Sequence, residues 1–156
     1  MKHLNAKNIA AVLSIWISFV FLQSGLFKFT GADETVHIFS TVGAWMTTVI
    51  HPSLGQIMTQ YGAWIIGGAE YVASALLLMP VANCLLKKHC RKDSLFTFVG
   101  ALMSFGIMSG AIFFHLFTPL GVEVQGDGGT LFGMAVSVWL SSIFLMWRNK
   151  KAVCKC

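Results

Sequence analysis

Three side chains able to carry charge stand inside or at the edge of long apolar stretches of this chain: Lys28, Glu70 and His115. An ionised acid at the centre of a membrane segment costs roughly 2.5 to 3.5 kcal/mol on insertion scales, so Glu70 needs a partner or a proton. Lys28 and His115 are the candidates to supply it. A histidine beside a carboxylate can exchange protons near neutral pH. With Gln23 and Ser24 as hydrogen-bonding neighbours, the group would suit a quinone headgroup or another small molecule. The alternative is structural: Glu70 is buried and paired with Lys28 or His115, which fixes helix register without chemistry.

Spacing is compatible with convergence. Residues three and four apart share a helix face, and Ser14, Ile17, Phe21, Ser24 and Lys28 make one stripe, while Ala101, Ser104, Met108, Ala111 and His115 make another. Glu70 lies about nine residues below the expected outer end of its helix, roughly 14 Å deep at 1.5 Å per residue. If the two stripes meet the Glu70 face, a polar pocket forms in the outer half of a membrane bundle.

The segment from Thr118 to Gly129 is Gly-rich and acidic. It could close over the pocket and bring Asp127 to a ligand; more conservatively, its glycines make tight turns and Asp127 caps the next helix. His115, Glu123 and Asp127, with His37 or His51, are usable metal ligands, but their spacing matches no metal motif and no metal is expected. All four cysteines (Cys84, Cys90, Cys154, Cys156) fall at or beyond the cytoplasmic ends of the expected helices, where thiols stay reduced. That excludes enzymes passing electrons from outward dithiols to quinone, because the outer loops hold no cysteine. No phosphate-binding Gly loop, Ser-centred triad or HExxH motif is present.

The elements that must position these groups are read from composition. Of 156 residues, 56% are hydrophobic and 11% charged, against about 25% charged in an ordinary soluble domain. A spanning helix needs roughly 20 mostly apolar residues, and four segments qualify: about 9–29, 61–86, 94–117 and 130–147. The expected fold is all-α, a single transmembrane domain over 1–156 built as a four-helix bundle. The first apolar run is too long for a cleaved signal and ends without an Ala-x-Ala pattern, so it reads as a retained anchor.

Ten of the eleven Lys and Arg precede helix one, join helices two and three, or follow helix four. Positive segments stay inside, which places both termini in the cytoplasm and the acidic connections with Asp33, Glu34, Glu123 and Asp127 outside. The same distribution explains the net charge of +5 without nucleic acid. Between helices one and two, Val36, Phe39, Val42, Met46, Val49 and Ile50 recur at helical spacing, predicting an additional outward interfacial helix ended by His51-Pro52, with Ser53 capping the start of helix two. Small residues are the expected glue: Ala63, Gly67, Glu70 and Ser74; Gly106-x-x-x-Gly110; and Gly133, Ser137 and Ser141. Pro80 should bend helix two.

Phe21-Leu22-Gln23-Ser24-Gly25-Leu26-Phe27-Lys28-Phe29, then Gly67-Gly68-Ala69-Glu70, then His115-Leu116-Phe117-Thr118 through Asp127-Gly128-Gly129, taken in this order and spacing, resemble the DoxX-like family of small four-helix bacterial membrane proteins. The resemblance covers nearly the whole chain. It implies an inner-membrane subunit or accessory of a quinone-linked redox system, with other membrane redox subunits as partners and quinone as the cofactor. The alternative class is a non-catalytic assembly or scaffold protein, or a small-solute carrier. Lys28, Glu70 and His115 are candidate catalytic residues on physical grounds, and Gln23, Ser24 and Asp127 are candidate ligand contacts.

Overall fold

The computed structural model describes residues 6–86 and 93–150, with side chains from residue 8 onward. The described residues form five helices and no strand: α1 (Ala6–Thr30), α2 (Asp33–Val49), α3 (Pro52–Leu85), α4 (Asp93–Phe117) and α5 (Thr130–Asn149). All but α2 are long and apolar enough to cross a membrane. Lipid offers no partner to a free N–H or C=O, and a helix satisfies both within itself.

The order of contacts sets the directions of the helices. Lys28, Gly25 and Ser18 of α1 meet Glu70, Tyr71 and Ser74 of α3. Asp93 and Gly100 of α4 meet Asn83 and Leu77 of α3, and Ser109 and His115 of α4 meet Trp139 and Phe132 of α5. Each pair therefore runs antiparallel. α1 packs chiefly on α3, α3 on α4 and α4 on α5, and α1 touches α5 more lightly. The core is Ile17, Phe21, Leu77, Ala101, Val138 and Leu145, with Ser18, Ser74, Ser104 and Ser142 equally buried among them. Ser74, Ser104 and Ser142 return their hydroxyl hydrogens to carbonyls four residues back, each at 2.8 Å, so small polar residues sit in the core with their hydrogen bonds made.

Several sequence expectations need correction. The second spanning helix starts at Pro52 rather than near residue 61 and runs through Pro80 to Leu85. Proline is well placed at a first helical position, where its missing N–H is not needed. His51, not Ser53, caps that start: its Nδ1 accepts the Ser53 N–H at 3.2 Å. At 34 residues, α3 is about 51 Å long, well beyond a bilayer core of about 30 Å. The extra N-terminal turns carry α2, which lies against them where Gly43 meets Gly55. The buried face of α2 is Thr35, Phe39, Val42 and Gly43, while Val36, Val49 and Ile50 of the same apolar stripe are exposed, as the expected interfacial helix allows.

The small-residue stripe of α3 is buried at Gly67, Glu70 and Ser74, but those of α4 and α5 are displaced. A Cβ added to Gly106, Gly110 or Gly133 would meet nothing within 4 Å, so the GxxxG pair is no helix contact within this chain. The close approach of α4 falls at Gly100, where a Cβ would lie 2.9 Å from Leu77 Cγ. On α5 the buried stripe is Ala135, Val138, Ser142 and Leu145. Arg148 and Lys150 stand at the end where α1 begins and α3 finishes. Lys2, the side chain of Lys7, the basic segment 87–92, Lys151, Lys155 and three of the cysteines (Cys90, Cys154, Cys156) lie outside the described residues; Cys84 is described and exposed.

Candidate functional site

Glu70 is 1% exposed and sits on the α1-facing side of α3. Lys28 Nζ donates to both of its oxygens, at 2.9 and 3.0 Å. Lys28 also donates to Ser24 Oγ, whose hydroxyl donates on to Glu70 Oε1 at 3.4 Å. The pair forms here because α1 and α3 come close at small residues. The Lys28 stem crosses Gly67, where a Cβ would meet Lys28 Cβ at 3.4 Å, and Gly25 lies under the Tyr71 ring. Phe29 is held between Trp64 and Tyr71, with ring centroids 4.9 and 5.2 Å away. Breaking such a pair by removing one member typically costs about 3 to 5 kcal/mol, because the other charge stays buried.

His115 ends α4 and is 7% exposed. Its Nδ1 lies 2.6 Å from the carbonyl oxygen of Gly121. A carbonyl oxygen only accepts, so Nδ1 carries the hydrogen and Nε2 is left to accept from, or exchange a proton with, something else. The ring edge rests on Phe132 of α5, centroids 5.7 Å apart.

Lys28, Glu70, Ser24, Gln23 and His115 all line one cavity of about 210 Å³ among α1, α2, α3, α4 and α5. Its remaining walls are mainly apolar, including Val20, Phe27, Ile38, Met58, Met108, Phe114 and Met134. The roof is a second apolar cluster, Val42 with Leu120 and Val124, which joins α2 to the 118–129 loop. Two polar residues of this cavity, Glu34 and Thr35 of α2, escaped the sequence reading. The sequence predicts an outward interfacial helix there and assigns no cavity residue to it. The available signal was the stripe Thr35, Phe39, Val42, which carries α2 onto the same cluster.

Asp127 is not among the cavity-lining residues. Its Oδ1 accepts the N–H groups of Val124 at 2.8 Å and Gly129 at 3.0 Å, and its Oδ2 accepts that of Leu131 at 2.8 Å. Desolvation pushes its pKa up, but those three N–H groups, with His115 nearby, outweigh it and hold the carboxyl below its usual range. Asp127 thus organises the loop and the first turn of α5, in a segment where Gly121, Gly126, Gly128, Gly129 and Gln125 all take positive φ. His51 is committed to its cap and Glu123 is exposed. Among the described residues no three His, Cys, Asp or Glu side chains gather as a metal-binding group.

No family model matches the chain, and neither does any curated protein or solved structure.

Proposed function

We propose that the chain is a multi-pass protein of a bacterial inner membrane, with both termini cytoplasmic, that binds a quinone headgroup in this cavity as a subunit or accessory of a quinone-linked redox system. The observation that carries the reading is a bidentate Lys28–Glu70 pair opening onto an otherwise apolar cavity that His115 also lines. The dimensions suit the group: an apolar cavity of about 150 Å³ takes a benzene ring, and this one is about 210 Å³. The three N–H groups of Lys28 are taken by Glu70 and Ser24, so Lys28 can donate to a ring carbonyl oxygen by exchanging one of those acceptors for it, and Gln23 and Thr35 stand on the same cavity wall to add hydrogen bonds. Quinone, when bound, supplies two-electron chemistry coupled to protons; the electrons would come from a partner subunit. This chain's own residues bind the ring, exclude water with apolar walls, and offer acceptors at His115 Nε2 and the Glu70 carboxylate. The resemblance to DoxX-like proteins supports the same reading, as does an α2 whose exposed Val36, Val49 and Ile50 suit an outer interfacial position.

The test is equilibrium binding of a short-chain benzoquinone to the purified protein in nanodiscs. A hydrogen bond to a charged group is worth about 1.5 to 3 kcal/mol, so Lys28→Met should weaken binding about tenfold or more, and His115→Gln should weaken it measurably. Binding unchanged in both variants would overturn the proposal. One observation favours a scaffold or carrier without redox chemistry: every described buried side-chain N and O already has a hydrogen-bond partner within the chain. That reading expects no quinone binding and a loss of folding, not of affinity, when the pair is broken.

A further inference from the structure

This inference rests on the proposed reading of the cavity and asks how its ligand reaches it. A cavity of about 210 Å³ holds one substituted ring and no long tail. A membrane-dissolved ligand with an apolar tail must therefore leave that tail outside, and the walls are unequal in what they allow. Toward α3, α1 is sealed by Gly25 against Tyr71 and by the Lys28 stem against Gly67. Between α4 and α5, the His115 ring rests edge-on against Phe132 with centroids 5.7 Å apart, and further in Trp139 stacks on Phe105 and donates to Ser109 Oγ at 3.0 Å. Overhead, Val42, Leu120 and Val124 close the roof.

The α1–α5 side is different. Trp16 Nε1 donates to Ser137 Oγ at 3.3 Å and ties the two helices near their middle. Moving outward from Trp16 in steps of four, three and four residues, the same α1 face presents Val20, Gln23 and Phe27. Because the helices are antiparallel, Met134 and Leu131 follow Ser137 outward on α5. All five line the cavity, and Gln23 and Phe27 are also exposed on the outside of the bundle, Phe27 at 47%. Residues that face both the cavity and the surface mark a wall one side chain thick. That wall belongs to the part of α1 apolar enough to lie within a membrane.

We propose that the α1–α5 seam outward of Trp16 is a lateral opening to the bilayer, through which a ring-headed ligand enters and between whose Gln23–Phe27 and Leu131–Met134 sides its single apolar tail lies. Phe27, Leu131 and Met134 then select for a tail, while Gln23, Lys28, Glu70 and His115 select for the head.

The experiment uses the full chain in nanodiscs and two benzoquinones, one with a decyl tail carrying a photoreactive diazirine at its end and one without a tail. Photolabel from the tail should map to residues 20–27 of α1 and 131–134 of α5; label confined to α3, α4 or the α2 face overturns the seam. Leu131→Trp fills the gap from the α5 side, at a partly exposed position that has no part in holding the head. It should weaken the tailed compound about tenfold and leave the tailless one unchanged. Equal losses, or no loss, overturn the seam while the cavity reading stands. Failure of both compounds to bind the unaltered protein overturns the seam and the cavity reading together.

Discussion

Gly43 and Gly55 occupy the crossing of α2 and α3 so closely that neither has room for a methyl group. A Cβ on Gly43 would stand 2.8 Å from the Gly55 carbonyl oxygen, and one on Gly55 would stand 2.6 Å from the backbone nitrogen of Thr47. Backbone cannot turn aside as a side chain can. Thr47 and Thr59 complete the crossing by returning their hydroxyl hydrogens to the carbonyls of Gly43 and Gly55, at 2.9 and 3.0 Å. This contact holds α2 over the cavity and thereby brings Glu34, Thr35 and Ile38 to its wall.

Gly55→Ala should therefore lower stability by about 1 to 3 kcal/mol, the usual cost of overpacking. Gly106→Ala, with open space at its Cβ, should be neutral or stabilise by roughly 0.4 to 1 kcal/mol through the unfolded chain. Thermal melts of the two variants in one detergent decide between them. Equal melting temperatures would mean that α2 is not held on α3 at this crossing.

The spans and the stripes that carry Lys28 and His115 were legible because 3.6-residue periodicity survives in any apolar solvent. Ser14, Ile17 and Phe21 are buried as their spacing required, and so are Ala101, Ser104 and Met108. The pairing of α2 with the outer turns of α3 was not legible. A proline after His51 reads equally as the stop of one helix and the start of the next, and Gly43 and Gly55 show their purpose only when brought together. GxxxG was not decisive for a related reason: small residues permit close approach without specifying whether a helix of the same chain or of a second copy approaches. Gly106 and Gly133 are left at the surface.

Asp127 predicts an acid dependence. Its carboxyl lies below its ordinary value of 3.8, so its contribution to stability is fully present above that pH and is lost as pH falls through the lower folded value. Asp127→Asn keeps one acceptor oxygen and removes the other, and Asp127→Ala removes both. At pH 7 the Ala variant should be less stable by about 1 kcal/mol, in the range of a lost helix cap. The gap to the unaltered protein should narrow below about pH 3.8. A gap that is constant from pH 7 to pH 3 would show that the charge on Asp127 contributes nothing.

Orientation is testable with thiols. Under the proposed topology Cys84, Cys154 and Cys156 face the cytoplasm, and the 118–129 loop faces outward. Gly126 has φ +82° and would resent any side chain, so exposed Glu123 is the better site for a new cysteine. An impermeant maleimide applied to intact cells should label Glu123→Cys and leave the native thiols unmodified until the membrane is opened. Labelling of native thiols from outside reverses the topology.

The Lys28–Glu70 pair allows scaffold and site to be separated by three variants. Glu70→Ala removes the counter-charge of an ammonium whose side chain is only 13% exposed, and it should cost about 3 to 5 kcal/mol in stability. Glu70→Gln keeps the size and one carbonyl acceptor but also leaves Lys28 without a counter-charge, so a milder loss of stability and a loss of quinone binding are expected together. The double variant Lys28→Met with Glu70→Leu removes both charges at similar volume, and such replacements are often neutral or stabilising. It should melt close to the unaltered protein, because no charge is left buried alone. Its quinone binding should nevertheless fall about tenfold or more, since the donor and the accepting carboxylate are both gone. A double variant that folds and binds as well as the original would reduce the pair to a register clamp and defeat the proposed site; one that folds but does not bind assigns the pair to the ligand.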